Sequence, residues 1–288
     1  MTSESASILF QNAILPSADG KETVVDLLIT DGKIERIATH IDSTGFKGVR
    51  IDATGMHLLP GLVDLHVHFR EPGFEYKETI EGGAEAAAAG GFTTVCTMPN
   101  LNPAPDSPAT LSPQLEAIAG AEKKWPVEIR PYATITMERK GREVVDFKSL
   151  ETFAREAGHP LAGFSDDGSG IQEAEPMRSA LESSSQGNYL IAAHCEVNSL
   201  LRGGYIHDGE WAKAHGMKGI CSESEWKEIE RDIDLLRQTG GRLHICHVST
   251  KESIALIAKA KKEGLHITCE TAPHYIAFCE DDLEDDGR

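Results

Sequence analysis

The chain has 288 residues, 40% hydrophobic and 26% charged, the composition of a globular protein long enough to bury a full-sized core. Its 28 Lys and Arg against 46 Asp and Glu leave a formal net charge of −18, a field that repels nucleic acid and anionic membrane and argues against either as a partner. A small anionic ligand is not excluded, because one buried arginine or metal ion reverses the sign locally.

The first sixty residues carry short apolar runs at 8–15, 23–30, 33–38 and 49–51, separated by Gly, Asp and Ser turns. Val25, Leu27 and Ile29 share one face at strand period and an Asp31-Gly32 turn follows, so this part reads as short strands and hairpins. We expect a small β domain over 1–58.

From Leu58 onward, single strands alternate with helical stretches. Strands are expected at 61–68, 93–98, 128–134, 161–165, 189–195, 242–248 and 266–271, and helices at 79–89, 112–124, 148–157, 177–185, 223–239 and 251–262. Several strand runs are almost continuously apolar, as strands buried on both faces of a parallel sheet require. Seven β/α repeats in one direction predict a TIM-like (β/α)8 barrel over 59–288, with an open doubly wound sheet as the alternative. A closed barrel of this kind has eight strands, and the chain ends in an acidic tail soon after the seventh, so it reads as a piece of a longer polypeptide.

No run reaches the ~18 consecutive apolar residues of a membrane helix, and residues 1–12 lack the basic start and long apolar stretch of a secretory signal. Cys96, Cys195, Cys221, Cys246, Cys269 and Cys279 form no Cys-x-x-Cys pair, and Cys96, Cys246 and Cys269 fall in strand-like runs. Buried, reduced thiols of a cytoplasmic protein are the expectation.

The chemistry concentrates at strand ends. In Leu62-Val63-Asp64-Leu65-His66-Val67-His68 the period-two repeat puts His66 and His68 on one face, half of a metal site. His194 and His247 close two later strands, and Asp166 and Asp167 follow a third. Four strands thus deliver histidine or carboxylate to one end, the end where barrels of this type place their chemistry. His66, His68, His194, His247 and one of the two aspartates suit a two-metal centre bridged by the carboxylate. His244 is out of phase with His247 and reads as a packing residue. Arg70 continues the phase of His66 and His68, and Asn100 ends the next strand, so the two are placed to hold a substrate carboxylate. A salt bridge from Arg70 to Glu71 or Glu75 is the competing assignment. The glycines at 82, 83, 90 and 91 form no phosphate loop, since no Gly-Lys-Ser/Thr follows, and helix–strand turns account for them.

Six motifs in order then resemble one family. They are His66-Val67-His68-Phe69-Arg70-Glu71-Pro72-Gly73, Gly90-Gly91-Phe92-Thr93-Thr94-Val95, Met98-Pro99-Asn100, Phe164-Ser165-Asp166-Asp167-Gly168, Ala193-His194-Cys195-Glu196 and His244-Ile245-Cys246-His247-Val248-Ser249. Together they resemble the class I dihydroorotases of the amidohydrolase superfamily, zinc enzymes that interconvert dihydroorotate and N-carbamoyl-L-aspartate in pyrimidine synthesis. The resemblance implies one or two zinc ions, with His66 and His68 on the first, His194 and His247 on the second and Asp167 bridging. It implies Arg70 and Asn100 as holders of a small anionic substrate. It also implies a homodimer or a transferase partner as modes of assembly. The family's general acid/base aspartate lies in an Asp-His-Ala-Pro-His segment that is not among these residues, and His274 does not replace it. A catalytically inactive scaffold subunit and an allantoinase- or hydantoinase-type enzyme are the rival assignments.

Overall fold

The structure is a computed structural model and describes residues 7–284. The chain divides into two compact units, one reaching Gly61 and one starting at Leu62.

In the first unit β1 (Ser7–Pro16), β2 (Glu22–Thr30), β3 (Lys33–Ala38) and β4 (Val49–Asp52) form one sheet in the order β3-β2-β1-β4. The hairpins β1–β2 and β2–β3 follow the alternation and the Asp31-Gly32 turn. The fourth apolar run departs from the hairpin expectation, because β4 lies parallel to β1. A bulge between Phe10 and Ala13 leaves Asn12 at φ 64, and the buried Asp26 carboxylate accepts the Asn12 and Ile41 N–H groups at 2.9 and 2.8 Å. One side chain thereby satisfies two backbone donors that lie outside the ladder.

The second unit is built on seven parallel strands: β5 (Leu62–Val67), β6 (Phe92–Thr97), β7 (Glu128–Ala133), β8 (Gly163–Ser165), β9 (Leu190–Ala193), β12 (Arg242–Ile245) and β13 (Ile267–Cys269). They lie in the order β13-β12-β9-β8-β7-β6-β5, so each crossover reaches the adjacent strand. Between successive strands run α1 (Ile80–Ala89), α2 (Pro108–Glu122), α3 (Phe147–Glu156), α4 (Ala174–Gly187), α7 (Glu223–Thr239) and α8 (Lys251–Lys262). The stretch from β9 to α7 also holds α5 (Asn198–Leu201), β10 (Ile206–His207), α6 (Glu210–Ala214) and β11 (Gly219–Ile220), while α9 (Pro273–Ala277) follows β13. Among the described residues no helix is long and apolar enough to cross a membrane.

Helix α2 begins four residues before the expected start. Ser107 caps it, with Ser107 and Thr110 bonding reciprocally, and Pro113 sits inside the helix rather than at its start. The cap therefore sets the boundary here and the proline does not. In α1, Gly83 is required by packing, since an added Cβ would lie 2.2 Å from the Phe69 ring.

Consecutive strand residues point to opposite faces, which creates two cores. Ile129, Phe164, Ile191 and Ile245 face the helices, where Phe147 stacks on Phe164 at 3.9 Å and Tyr189 meets both rings edge-on. Cys96, Met98, Tyr132, Ala192 and Cys246 pack together on the other face. The sheet is strongly curled about that second face. Its outermost strands, β5 and β13, would stand roughly 29 Å apart in a flat sheet at about 4.8 Å per step. Instead His66 Nδ1, from β5, lies 2.7 Å from Oε1 of Glu270, the residue after β13. The seven-stranded parallel sheet is an arc of a barrel.

All six cysteines are free. Cys96, Cys195 and Cys246 are buried as expected, but Cys269 is exposed. Among the described residues β13 pairs with β12 alone, so its run is covered on fewer sides than one in the middle of the sheet. The opposite edge, β5, likewise exposes Leu62, Val63 and Leu65.

Helix α7 buries a polar cluster. Arg231 bonds Asp232 through Nε and Nη2 at 2.8 and 2.7 Å and Glu228 through Nη2 at 3.1 Å, while Oε2 of Glu228 is buried without a partner. Burial, and then the charge of Asp232, pushes the Glu228 carboxyl up to about 7. A folded value above the unfolded ~4.3 means the group stabilises the fold fully at acid pH and ceases to as pH rises through 7. Glu228→Gln should therefore gain stability relative to the parent between pH 5 and pH 8, as read by urea unfolding at both. An equal difference at the two pH values would refute the assignment.

Candidate metal centre

Four strand ends converge on one carboxylate. Asp167, 3% exposed, sits two residues past β8, with its N–H held by Ser165 Oγ at 3.1 Å. Its Oδ1 lies 3.6 Å from His66 Nε2, 3.5 Å from His194 Nδ1 and 3.4 Å from His247 Nε2, and its Oδ2 lies 3.6 Å from His68 Nε2. The histidines also approach each other in pairs, His66 Nε2 to His68 Nε2 at 3.3 Å and His194 Nδ1 to His247 Nε2 at 3.0 Å. The structure thus brings together all five residues expected from the sequence as ligands.

The two adjacent aspartates have separate tasks. Asp166 turns away and accepts the Ile135 and Thr136 N–H groups at 2.9 and 3.1 Å, together with the Thr136 hydroxyl. Burial raises its carboxyl to about 6 against those bonds. Burial works on Asp167 in the same direction, but the neighbouring histidines His194, His247 and His66 outweigh it and hold that carboxyl well below the usual range. Asp167 is therefore the more strongly acidic member of the pair.

The donor set fits a metal ion. Ligand bonds of about 2.0–2.1 Å to a tetrahedral zinc place donor atoms roughly 3.3 Å apart, the spacing these nitrogens and oxygens have. His66, Asp167 and His247 each offer a ligand atom within 4.8 Å of the others. Burial, opposed by Asp167, lowers His68 to about 4, which leaves it neutral and able to donate a lone pair at physiological pH.

The chain geometry explains why His247 joins the cluster. It lies two residues beyond β12 at φ 37, a left-handed conformation that turns its ring off the strand's alternation. A half-buried carboxylate on α7 fixes the loop behind it: Glu225 accepts N–H and O–H bonds from both Ser249 and Thr250 and a further O–H bond from Ser253. His244 stays out of the cluster, but the turn at His247 separates the two rings, not their strand phase. It is nonetheless part of a polar contact rather than plain packing, with Nδ1 2.8 Å from Thr268 Oγ1 and Nε2 3.3 Å from Glu270 Oε2.

The two expected substrate holders are placed differently. No hydrogen bond or ion pair ties the Arg70 guanidinium among the described residues, and the acids proposed as its partners are engaged elsewhere, Glu71 with the Ile80 N–H and Glu75 with the Gly73 N–H. Asn100 uses Nδ2 to bond Asp167 twice, to the backbone oxygen at 2.8 Å and to Oδ2 at 3.0 Å, and its Oδ1 is buried without a partner. Two neighbours were not foreseen. Arg139, which like Glu138 before it has positive φ, donates from Nη1 to the Asp167 backbone oxygen at 2.6 Å. Glu270 bonds His66. Neither stands at a strand-end His or Asp, so the pattern that found the ligands was blind to both.

The family model described as Dihydro-orotase-like matches residues 55–253. This chain belongs to that family. It is 47% identical over 266 residues to the dihydroorotase of Shouchella clausii (strain KSM-K16), covering 92% of this chain and 59% of that protein. It is 42% identical over 275 residues to the dihydroorotase of Bacillus cytotoxicus, covering 96% and 62%. The chain therefore spans about three fifths of the length of these curated relatives. Among solved structures it resembles the L-hydantoinase (dihydropyrimidinase) from Arthrobacter aurescens, with a TM-score of 0.76 and 24% identity over 96% of this chain and 60% of that one. It also resembles the dihydropyrimidinase from Brevibacillus agri NCHU1002, with a TM-score of 0.74 and 21% identity over 98% and 61%. At these identities the structural likeness speaks for the barrel fold alone.

Replacing Asp167 by Asn in this family member keeps the shape and removes the charge that faces four imidazoles. Since loss of a mere supporting partner weakens metal binding by about 10–100-fold, Asp167→Asn should weaken zinc binding by at least that much. Chelator competition with the full-length protein measures it, and undiminished affinity would remove Asp167 from the ligand set.

Proposed function

We propose that this chain carries the metal and substrate-holding part of a zinc-dependent cyclic amidohydrolase that interconverts dihydroorotate and N-carbamoyl-L-aspartate in pyrimidine synthesis. The observation that carries the proposal is the convergence of His66, His68, His194 and His247 on Asp167 with an unpaired Arg70 two residues from His68. His66 and His68 would hold one zinc ion, His194 and His247 a second, and Asp167 would lie between. A zinc ion bound there supplies Lewis acidity toward a ring carbonyl and lowers the pKa of water.

The residues themselves set up what the reaction needs. Asp167 stays ionised, and Asn100 and Arg139 grip its backbone oxygen, so the carboxylate is fixed before any ligand arrives. Preorganised charge of this kind needs no rearrangement during the reaction. Arg70 offers a planar fork to the substrate carboxylate, and Asn100 can join it by giving up one bond to Asp167. The proton shuttle belongs, in this proposal, to an aspartate outside these 288 residues. Cytoplasmic location, and a homodimer or a transferase partner, complete the reading on the strength of the resemblance alone.

Arg70 separates this reading from an allantoinase or hydantoinase, because a ring without a free carboxylate gives that guanidinium nothing to bind. The intact ligand set separates it from an inactive scaffold subunit. The test is turnover by the zinc-loaded full-length protein. Dihydroorotate should be hydrolysed and an unsubstituted hydantoin should not, and the reverse preference would overturn the substrate assignment. A hydrogen bond to a charged group contributes about 1.5–3 kcal/mol, so Arg70→Gln should lower kcat/KM for dihydroorotate roughly ten- to hundredfold.

A further inference from the structure

An imidazole that binds a metal through Nε2 must carry its proton on Nδ1, and that proton needs an acceptor if the ring is to keep its orientation. His66 points Nε2 toward His68 and Asp167, so its Nδ1 faces the other way. There it meets Glu270 Oε1 at 2.7 Å. His68 has no such support, its Nδ1 being buried without a partner, and His194 Nε2 is 3.7 Å from a more exposed acid, Glu196.

Glu270 is built into place. Its N–H donates to the Ile245 carbonyl at 3.0 Å, and its own carbonyl accepts the Val248 N–H at 2.8 Å, which locks the residue beside the end of β12. Its second oxygen lies 3.3 Å from His244 Nε2, and Thr268 Oγ1 lies 2.8 Å from His244 Nδ1. One proton arrangement orders the row, with His244 Nε2 close to Glu270 Oε2 but outside hydrogen-bond geometry. The Thr268 hydroxyl donates to His244 Nδ1, His244 Nε2–H faces Glu270 Oε2, and Glu270 Oε1 accepts from His66 Nδ1–H.

We propose that Glu270 is the positioning residue for His66, a carboxylate from the last strand that sets the tautomer and ring direction of a metal ligand on the first. The inference rests on the metal-binding reading of the His66 cluster. It also gives the row Thr268–His244–Glu270, of which His244 is buried, a task in the site.

The test is zinc competition against a chromophoric chelator with the full-length polypeptide, comparing the parent, Glu270→Gln and Glu270→Ala. Outer carboxylate partners of metal-bound histidines contribute about 10–100-fold in affinity, so both variants should bind zinc that much more weakly, while the stoichiometry at saturating zinc stays the same. The visible spectrum of the cobalt-substituted protein should shift in the variants. Glu151→Gln, which removes a carboxylate paired with Arg155 on α3, should change neither. Unchanged affinity and spectrum in the Glu270 variants, with a parent that binds zinc, would overturn this inference and leave the metal site standing. Loss of a whole equivalent at saturation would make Glu270 a ligand and overturn the positioning role. A parent that binds no zinc would overturn both.

Discussion

The structure depends on one buried negative charge. A carboxylate out of water carries a large desolvation cost unless positive or polar groups surround it, and Asp167 has four imidazoles, the Asn100 amide and a backbone grip from Arg139. To gather those groups around one point the sheet must curl until β5, β8, β9 and β12 present their ends to the same small volume. The fold and the site are therefore one constraint. A flatter sheet would leave His66 and His68 far from His194 and His247 and the Asp167 charge without its counter-groups.

Much of this was legible in the sequence because the rules involved are local. Alternation along a strand placed His66 and His68 on one face, and the apolar run before His194 marked that residue as a strand end. The β/α rhythm predicted the direction and number of the strands, and the helices 223–239 and 251–262 fall at their expected bounds. What failed also failed for local reasons. The second helix was expected from 112, yet the Ser107 and Thr110 cap starts it at Pro108. Cys269 looked buried because its run is apolar, but which strand lies at a sheet edge is decided by pairing, and nothing in the run itself reveals it.

Long-range contacts were out of reach. His66 and Glu270 are separated by 204 positions, and only the curl of the sheet makes them neighbours. Arg139 reaches Asp167 from a short turn with two positive-φ residues, a conformation that neither side chain favours and that the surrounding structure imposes. The family resemblance named Asn100 as a substrate holder, whereas the geometry gives it an additional duty in fixing Asp167. These three cases share a cause: which groups a supporting residue touches is decided by the tertiary arrangement, even where, as for Glu270 and Asn100, the residue itself stands near a strand end.

The central claim is that Asp167 and the four histidines form a metal centre. Anomalous diffraction at the zinc absorption edge from crystals of the full-length, zinc-loaded protein tests it most directly. The account predicts anomalous density in contact with Asp167, His66, His68, His194 and His247. Zinc-loaded crystals with no peak among these five residues, or with peaks only elsewhere on the molecule, would contradict it.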